Sequence, residues 1–110
     1  MNLNLANKLQ ELNILLEETK VKATVTAKGI GNQQIRVDKE LVVTDLHSRG
    51  GVGFNVREPN IKYSFAYEDI SEVGGMDLDR ITRAFNLNVD GTKRKTGKKP
   101  GRKPKNDRIK

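Results

Sequence analysis

The clearest structural signal in this chain is Val21-Lys-Ala-Thr-Val-Thr-Ala-Lys28, followed directly by Gly29-Ile-Gly-Asn32. Apolar and polar side chains alternate strictly from Val21 to Lys28, and this period of two predicts a strand with one buried face. The two glycines and Asn32 then predict a turn. The chain therefore changes direction after the first strand.

Four further short segments have the composition and spacing of strands. They are residues Gln34–Val37, Leu41–Leu46, Val52–Arg57 and Ile61–Tyr67. Turn residues separate the later ones, and no segment between them is long enough for the crossover helix that a parallel sheet requires. Residues 21–75 are therefore predicted to form a small five-stranded antiparallel barrel, SH3-like or OB-like.

The end of this region, Tyr63-Ser-Phe-Ala-Tyr-Glu-Asp-Ile-Ser-Glu-Val73, resembles the last strands of SH3-like and Sm-like barrels. In those barrels an aromatic strand leads into a short turn. The resemblance covers about 50 residues by pattern and implies a module that binds nucleic acid or another protein.

Four aromatic side chains in the predicted strands have two interpretations. Phe54, Tyr63, Phe65 and Tyr67 fall at alternating positions, as a barrel core demands. The alternative is a platform on which the bases of single-stranded nucleic acid stack. The alternation favours the core.

Residues 1–20 are predicted to contain an amphipathic helix, over residues 3–19. Its apolar stripe consists of Leu5, Leu9, Leu12 and Leu16. Steps of four, three and four residues place these leucines on one helical face. The stripe either packs on its own domain or forms the seam of a homodimer, and two heptads favour the first alternative.

Residues 76–91 are predicted to contain a second helix, over residues 77–87. Leu78, Ile81 and Phe85 lie on one of its faces, and Asp77 stands at the preferred N-cap position. Asp77 and Asp79 have the spacing of a metal pair, but no other nearby residue completes a coordination shell, so capping is favoured. The fold class is thus α+β, with a helix on either side of the barrel.

Charge divides the chain sharply at residue 92. Residues 92–110 hold ten basic residues and one acidic residue, a net charge of +9, whereas residues 1–91 hold eleven basic and thirteen acidic residues, a net charge of −2. Ile109 is the only large apolar residue after residue 91. We expect residues 92–110 to be a disordered basic tail that binds nucleic acid by releasing condensed counterions.

The centre of the tail, Lys98-Lys-Pro-Gly-Arg-Lys-Pro-Lys105, resembles an AT-hook. Members of that family lie in the narrow minor groove of A·T-rich DNA. The resemblance implies that Gly101 approaches the groove floor, that Arg102 inserts its guanidinium there, and that Pro104 extends the backbone. Phosphate contacts would come from Lys98, Lys99, Lys103 and Lys105. This chain differs in having Lys103 between Arg102 and Pro104, and Pro100 where the family has arginine.

The remaining DNA-binding residues predicted from charge alone are Lys93, Arg94, Lys95 and Arg108. These features predict a non-enzymatic DNA-binding protein, nucleoid-associated or transcription-modulating, from a bacterium or phage. Double-stranded DNA is favoured over RNA, and RNA polymerase is a candidate protein partner. The alternatives are an RNA-binding protein and a phage-type inhibitor or adaptor whose barrel binds a protein target.

Enzymatic function has no support in the residues. The chain has one histidine, His47, and no cysteine, and Ser48 and Ser71 lie outside any nucleophile motif. No cofactor or metal is predicted. The longest apolar runs are far too short to span a bilayer, and the first residues lack the basic region of a secretory signal. We therefore expect a cytoplasmic location, on the nucleoid.

Overall fold

The computed structural model describes residues 1–94. A short N-terminal helix, α1 (Leu3–Glu11), precedes a six-stranded antiparallel sheet, and a second short helix, α2 (Leu78–Ala84), follows it. The strands are β1 (Lys20–Lys28), β2 (Gln34–Leu46), β3 (Gly50–Phe54), β4 (Tyr63–Ala66), β5 (Ile70–Val73) and β6 (Met76–Asp77). Their order in the sheet is β4-β3-β2-β1-β5-β6, and the sheet curls into a half-barrel.

Helix α1 is shorter than its leucine spacing predicts. The side chain of Asn2 caps its start by accepting a hydrogen bond from the backbone N–H of Asn4 at 2.8 Å. At the other end Asn13 adopts a left-handed conformation with φ of 60°. The backbone N–H of Ile14 then donates to the carbonyl of Leu9 at 2.8 Å, the hydrogen bond that closes a Schellman motif. The prediction of a helix over residues 3–19 was therefore wrong beyond Glu11.

This early stop changes which leucines are buried. Leu5 and Leu9 lie in the core, but Leu12 and Leu16 are each 42% exposed. Leu15 is fully buried in their place, because the chain turns after Asn13 and helical spacing no longer applies. Two of the four leucines therefore pack on their own domain, and homodimerisation through the stripe stays a prediction.

Strands β1 and β2 form a long hairpin. The predicted segments Gln34–Val37 and Leu41–Leu46 are one continuous strand, so the predicted break at Asp38-Lys39-Glu40 was wrong. Asp38 and Glu40 are exposed, and Asp38 accepts a hydrogen bond from the Thr24 hydroxyl at 2.7 Å; Lys39, on the other face, is half-buried and pairs with Glu58, so all three charges are accommodated within the strand. Backbone pairing extends from Lys20 with Val42 to Lys28 with Gln34.

Strand β3 faces the core with glycines. Gly51 and Gly53 are buried, whereas Val52 and Phe54 lie half-buried on the other face, so the predicted core position of Phe54 was wrong. A Cβ atom on Gly51 would lie 2.4 Å from the carbonyl oxygen of Asp45 and 2.9 Å from Cζ of Phe65. The close approach of neighbouring strands and the Phe65 ring leaves no room for a side chain there.

Strands β5 and β6 form a hairpin that the spacing of apolar residues did not predict. Gly74 and Gly75 make its turn with φ of 61° and 82°. Strand β5 pairs with the first part of β1, from Val21 to Ala23, and so places the end of the sheet beside its beginning. The additional hairpin and the merging of two predicted strands into β2 account for six strands instead of five.

The core lies inside the curl of the sheet and under α1. Tyr63, Phe65 and Tyr67 are buried there, as predicted. Tyr67 belongs to a single turn of 3₁₀ helix between β4 and β5, and its hydroxyl donates to the backbone carbonyl of His47. Burial raises the pKa of the Tyr67 phenol above its ordinary value.

Helix α2 begins as predicted. The Asp77 carboxylate accepts a hydrogen bond from the backbone N–H of Arg80 at 2.8 Å, which confirms Asp77 as its N-cap. Its end repeats the design of α1: Asn86 has φ of 56°, and the N–H of Leu87 donates to the carbonyl of Thr82 at 2.8 Å. The helix therefore stops at Ala84, and the buried Leu87 side chain seals its end against the core.

Candidate nucleic-acid interface

The structure describes two of the predicted DNA-binding residues, Lys93 and Arg94. The others lie outside the described residues: Lys95, Lys98, Lys99, Gly101, Arg102, Lys103, Pro104, Lys105 and Arg108. The structure shows where this basic segment leaves the body of the protein and which surfaces residues 1–94 expose.

Residues 86–94 form a closed loop at the end of α2, which we call the stem. The backbone N–H of Asn88 donates to the carbonyl of Thr92 at 2.7 Å, and Leu87 and Lys93 pair as an isolated antiparallel bridge. The Asp90 carboxylate accepts hydrogen bonds from the Thr92 hydroxyl at 2.6 Å and its N–H at 3.0 Å. These bonds lower the pKa of the Asp90 carboxyl.

Gly91 fixes the stem against α1. It is buried and has φ of 86°, and a Cβ atom there would lie 2.7 Å from the carbonyl oxygen of Asn4. Both the left-handed backbone and the close approach require glycine. The stem is thus packed between the end of α2 and the start of α1.

Arg94 is bound to the body of the protein. Its Nε donates to the carbonyl of the buried Leu87 at 2.6 Å, its Nη2 lies 3.5 Å from the hydroxyl of the buried Thr82, and its backbone N–H donates to Asn86 at 2.9 Å. The neighbouring Lys93 side chain is exposed. Arg94 therefore anchors the stem, a role that a run of basic residues does not reveal in the sequence.

A cleft of about 390 Å³ opens on another part of the surface, between the β1–β2 hairpin and the loop before β4. Three lysines from distant parts of the sequence, Lys28, Lys39 and Lys62, line it together with Glu58 and Tyr63. We call it the lysine cleft. Sequence reasoning missed it because only the folding of the hairpin over the loop brings these residues together.

One of the three lysines forms an ion pair within the cleft. The Lys39 ammonium donates to Oε1 of Glu58 at 2.6 Å and lies 5.4 Å from the centroid of the Tyr63 ring, while the Tyr63 hydroxyl donates to the same carboxylate oxygen at 3.1 Å. The hydrogen bond from Lys39 lowers the pKa of Glu58, and the same bond raises the pKa of Lys39. Among residues 1–94, Lys28 and Lys62 have no carboxylate within salt-bridge distance.

The tip of the β1–β2 hairpin lies beside this cleft. Ile30 is 95% exposed at this tip. Ile35, five residues further along the chain, and Ile61, in the wall of the cleft, are also partly exposed. Tyr63, Phe65 and Tyr67, in contrast, are buried, so these rings offer no face for stacking bases.

His47 occupies a turn between β2 and β3. Its backbone N–H donates to the carbonyl of Gly50 at 2.8 Å, and its Nδ1 lies 3.4 Å from the backbone N–H of Arg49. The part of the chain that the structure describes contains no group of three or more His, Cys, Asp or Glu side chains arranged around a metal position. None of the helices in residues 1–94 has the length and apolar character needed to span a bilayer.

Comparison of the chain with protein-family models, with curated proteins and with solved structures gives no match.

Proposed function

We propose that this is a non-enzymatic, double-stranded DNA-binding protein, nucleoid-associated or transcription-modulating and of bacterial or phage origin, which binds phosphates through its basic segment. The observation that carries the proposal is the separation of charge: residues 92–110 have a net charge of +9 and residues 1–91 a net charge of −2. A polyanion is the partner that such a segment attracts most strongly.

The stem supports this proposal by giving the basic segment a fixed origin. The hydrogen bonds of Arg94 to Leu87 and Asn86 hold the chain against α2 up to the last described residue. The body is thereby kept close to any DNA that the segment binds, so that its own surface can contribute.

We further propose that the curled sheet is a small SH3-like barrel. The order β4-β3-β2-β1-β5 and the 3₁₀ turn between β4 and β5 support this assignment. Such barrels serve as binding modules for nucleic acids or proteins, so the fold is consistent with an adaptor to a protein such as RNA polymerase.

A second candidate function is inhibition or adaptation of a protein target through the barrel. Its support is a shallow groove of about 600 Å³ on the outer face of the sheet, lined by Val42, Thr44 and Phe54 with Glu17 and Lys20 at its margin. Half-buried apolar residues with polar neighbours are typical of protein-binding surfaces. RNA binding is a third alternative, in which the same basic segment would contact the phosphates of RNA.

Removing residues 95–110 tests the DNA-binding proposal, because the cut leaves the stem and its Arg94 anchor intact. If about six basic residues contact phosphates, log K of the full chain should fall with log salt concentration with a slope of about −5 on a B-DNA duplex. The shortened protein should lose most of this slope. Unchanged binding by the shortened protein would contradict the proposal, and a clear preference of the full chain for RNA would favour the RNA alternative.

The AT-hook hypothesis has a sharper test in Arg102→Lys. This substitution preserves charge, but a guanidinium is less strongly hydrated than an ammonium and enters a narrow minor groove more readily. We expect it to reduce the preference for A·T-rich over G·C-rich duplexes with almost no change in salt slope. Lys95→Ala is the control and should weaken binding to both duplexes equally. Equal affinity of the unmutated protein for both duplexes would refute the hook.

A further inference from the structure

The β1–β2 hairpin extends beyond the rest of the sheet. Strand β1 pairs with β5 only from Val21 to Ala23, and β2 pairs with β3 only from Val42 onward. Residues 24–41 therefore form a two-stranded arm. A salt bridge of 3.0 Å between Arg36 and Asp69 holds the arm over the core.

The end of this arm exposes an isoleucine in a defined turn. Ile30 lies between Gly29 and Gly31, and the backbone N–H of Gly29 donates to the carbonyl of Gln33 at 2.6 Å. The Ile30 side chain is 95% exposed, which makes it the most exposed large apolar residue in the described part of the chain. It makes no contribution to the core, although a polar residue would suit a solvent-exposed turn better.

Basic side chains lie next to this apolar tip. Lys28 precedes Ile30 by two residues, and Lys62 lines the lysine cleft together with Lys28. No carboxylate among residues 1–94 lies within 4.0 Å of either ammonium group. An apolar point close to unpaired positive charge is compatible with the groove of a duplex, where an apolar side chain can enter a base step while cations bind the neighbouring phosphates.

We propose that the arm is a second DNA contact, in which Ile30 inserts as a wedge between base pairs from the minor groove and Lys28 and Lys62 bind the flanking phosphates. This inference rests on the proposed function and deepens it: the basic segment supplies affinity, and the arm bends the duplex. A single aliphatic side chain suffices for a wedge, whereas a lipid surface or a protein partner requires a larger apolar patch.

The test compares Ile30→Ala in the full chain with Val89→Ala. Val89 is 72% exposed and lies in the stem, so both substitutions remove an exposed apolar side chain with little effect on the core. Bending is measured at saturating protein by energy transfer between dyes at the two ends of a duplex, and unstacking by the fluorescence of 2-aminopurine placed along it.

We expect the unmutated protein and Val89→Ala to increase both signals and Ile30→Ala to leave the duplex straight and stacked. The Kd of Ile30→Ala should rise about fivefold to tenfold, since the lost burial of one aliphatic side chain is partly offset by the unstacking it no longer causes. Lys28→Ala and Lys62→Ala should each reduce the salt slope by about 0.9.

The outcomes separate the two proposals. If the full chain fails to bind duplex DNA, the proposed function and the wedge both fail. If it binds DNA but Ile30→Ala bends and unstacks the duplex as Val89→Ala does, only the wedge is overturned. Binding to vesicles of anionic lipid that depends on Ile30, with DNA bending independent of it, would assign the tip to a membrane surface and would also overturn the wedge.

Discussion

Arg94 tests whether a basic residue in a basic segment serves the fold or the ligand. Its Nε donates to the carbonyl of the buried Leu87 at 2.6 Å, and its backbone continues the stem. A hydrogen bond from a charged donor contributes about 1.5 to 3 kcal/mol, and because Arg94 is partly exposed we expect its contribution to be about 1.5 kcal/mol. Arg94→Ala should lower the free energy of unfolding by that amount.

For a body of this size, such a loss corresponds to a decrease in Tm of about 6 to 12 °C. Lys93→Ala is the matched control. Its side chain is exposed, so we expect a change in the free energy of unfolding within about 0.5 kcal/mol. Thermal and urea unfolding followed by circular dichroism would measure both.

DNA binding should show the opposite order. If Lys93 contacts a phosphate, Lys93→Ala should reduce the salt slope by about 0.9, whereas Arg94→Ala should leave the slope unchanged because its guanidinium is engaged by the body. Arg94→Ala with the stability of the unmutated protein and a smaller salt slope would refute the anchoring role.

Three further predictions concern the backbone and the lysine cleft. Gly91→Ala should lower the free energy of unfolding, measured in urea, by about 3 kcal/mol, because the φ of 86° is left-handed and the new Cβ would lie 2.7 Å from the Asn4 carbonyl oxygen. Gly74→Ala is the control: its φ is also left-handed but the space around it is open, so we expect a loss of only about 1 kcal/mol. Equal losses of stability in the two variants would contradict the close approach at Gly91. Asn13→Val should lower the Tm relative to Asn13→Gly, since a β-branched residue disfavours the left-handed conformation that ends α1, and equal melting temperatures would show that the helix stop has another cause. By NMR, the Glu58 carboxyl should titrate below its ordinary pKa of about 4.3, and in Lys39→Met its pKa should return toward that value. The contribution of this carboxylate to stability is therefore complete above the ordinary pKa and is lost as pH falls through the lowered pKa. An unshifted pKa of Glu58 in the unmutated protein would exclude the hydrogen bond from Lys39 in solution.

Local pattern predicted the elements whose side chains repeat with a regular period. The alternation from Val21 to Lys28 predicted β1 almost to the residue, and Asp77 predicted the start of α2. The α+β class, with a helix before and after an antiparallel sheet, followed from the same periods. These features depend on residues that are close to one another along the chain, so the sequence alone is enough to predict them.

The errors arose where a local pattern continued past a point that the backbone or the tertiary structure determined. The leucine stripe continues to Leu16, but Asn13 ends the helix by adopting a left-handed conformation. The two predicted strands Gln34–Val37 and Leu41–Leu46 omit residues 38–40, but pairing with β1 makes these residues part of one continuous strand. An alternating pattern does not show which face of β3 is buried. In the structure the Phe65 ring packs closely on Gly51, so the face that carries the glycines is the buried one.

By itself, the sequence determined the separation of an acidic body from a strongly basic segment, because charge is a property of composition and needs no fold. The tertiary structure alone decided which cations are free to meet a ligand. The Arg94 side chain is hydrogen-bonded within the stem and Lys39 is paired with Glu58, whereas Lys28 and Lys62 line one cleft without a carboxylate partner among residues 1–94. Such assignments depend on residues distant in sequence coming within a few ångströms of one another, and only the folded chain sets those distances.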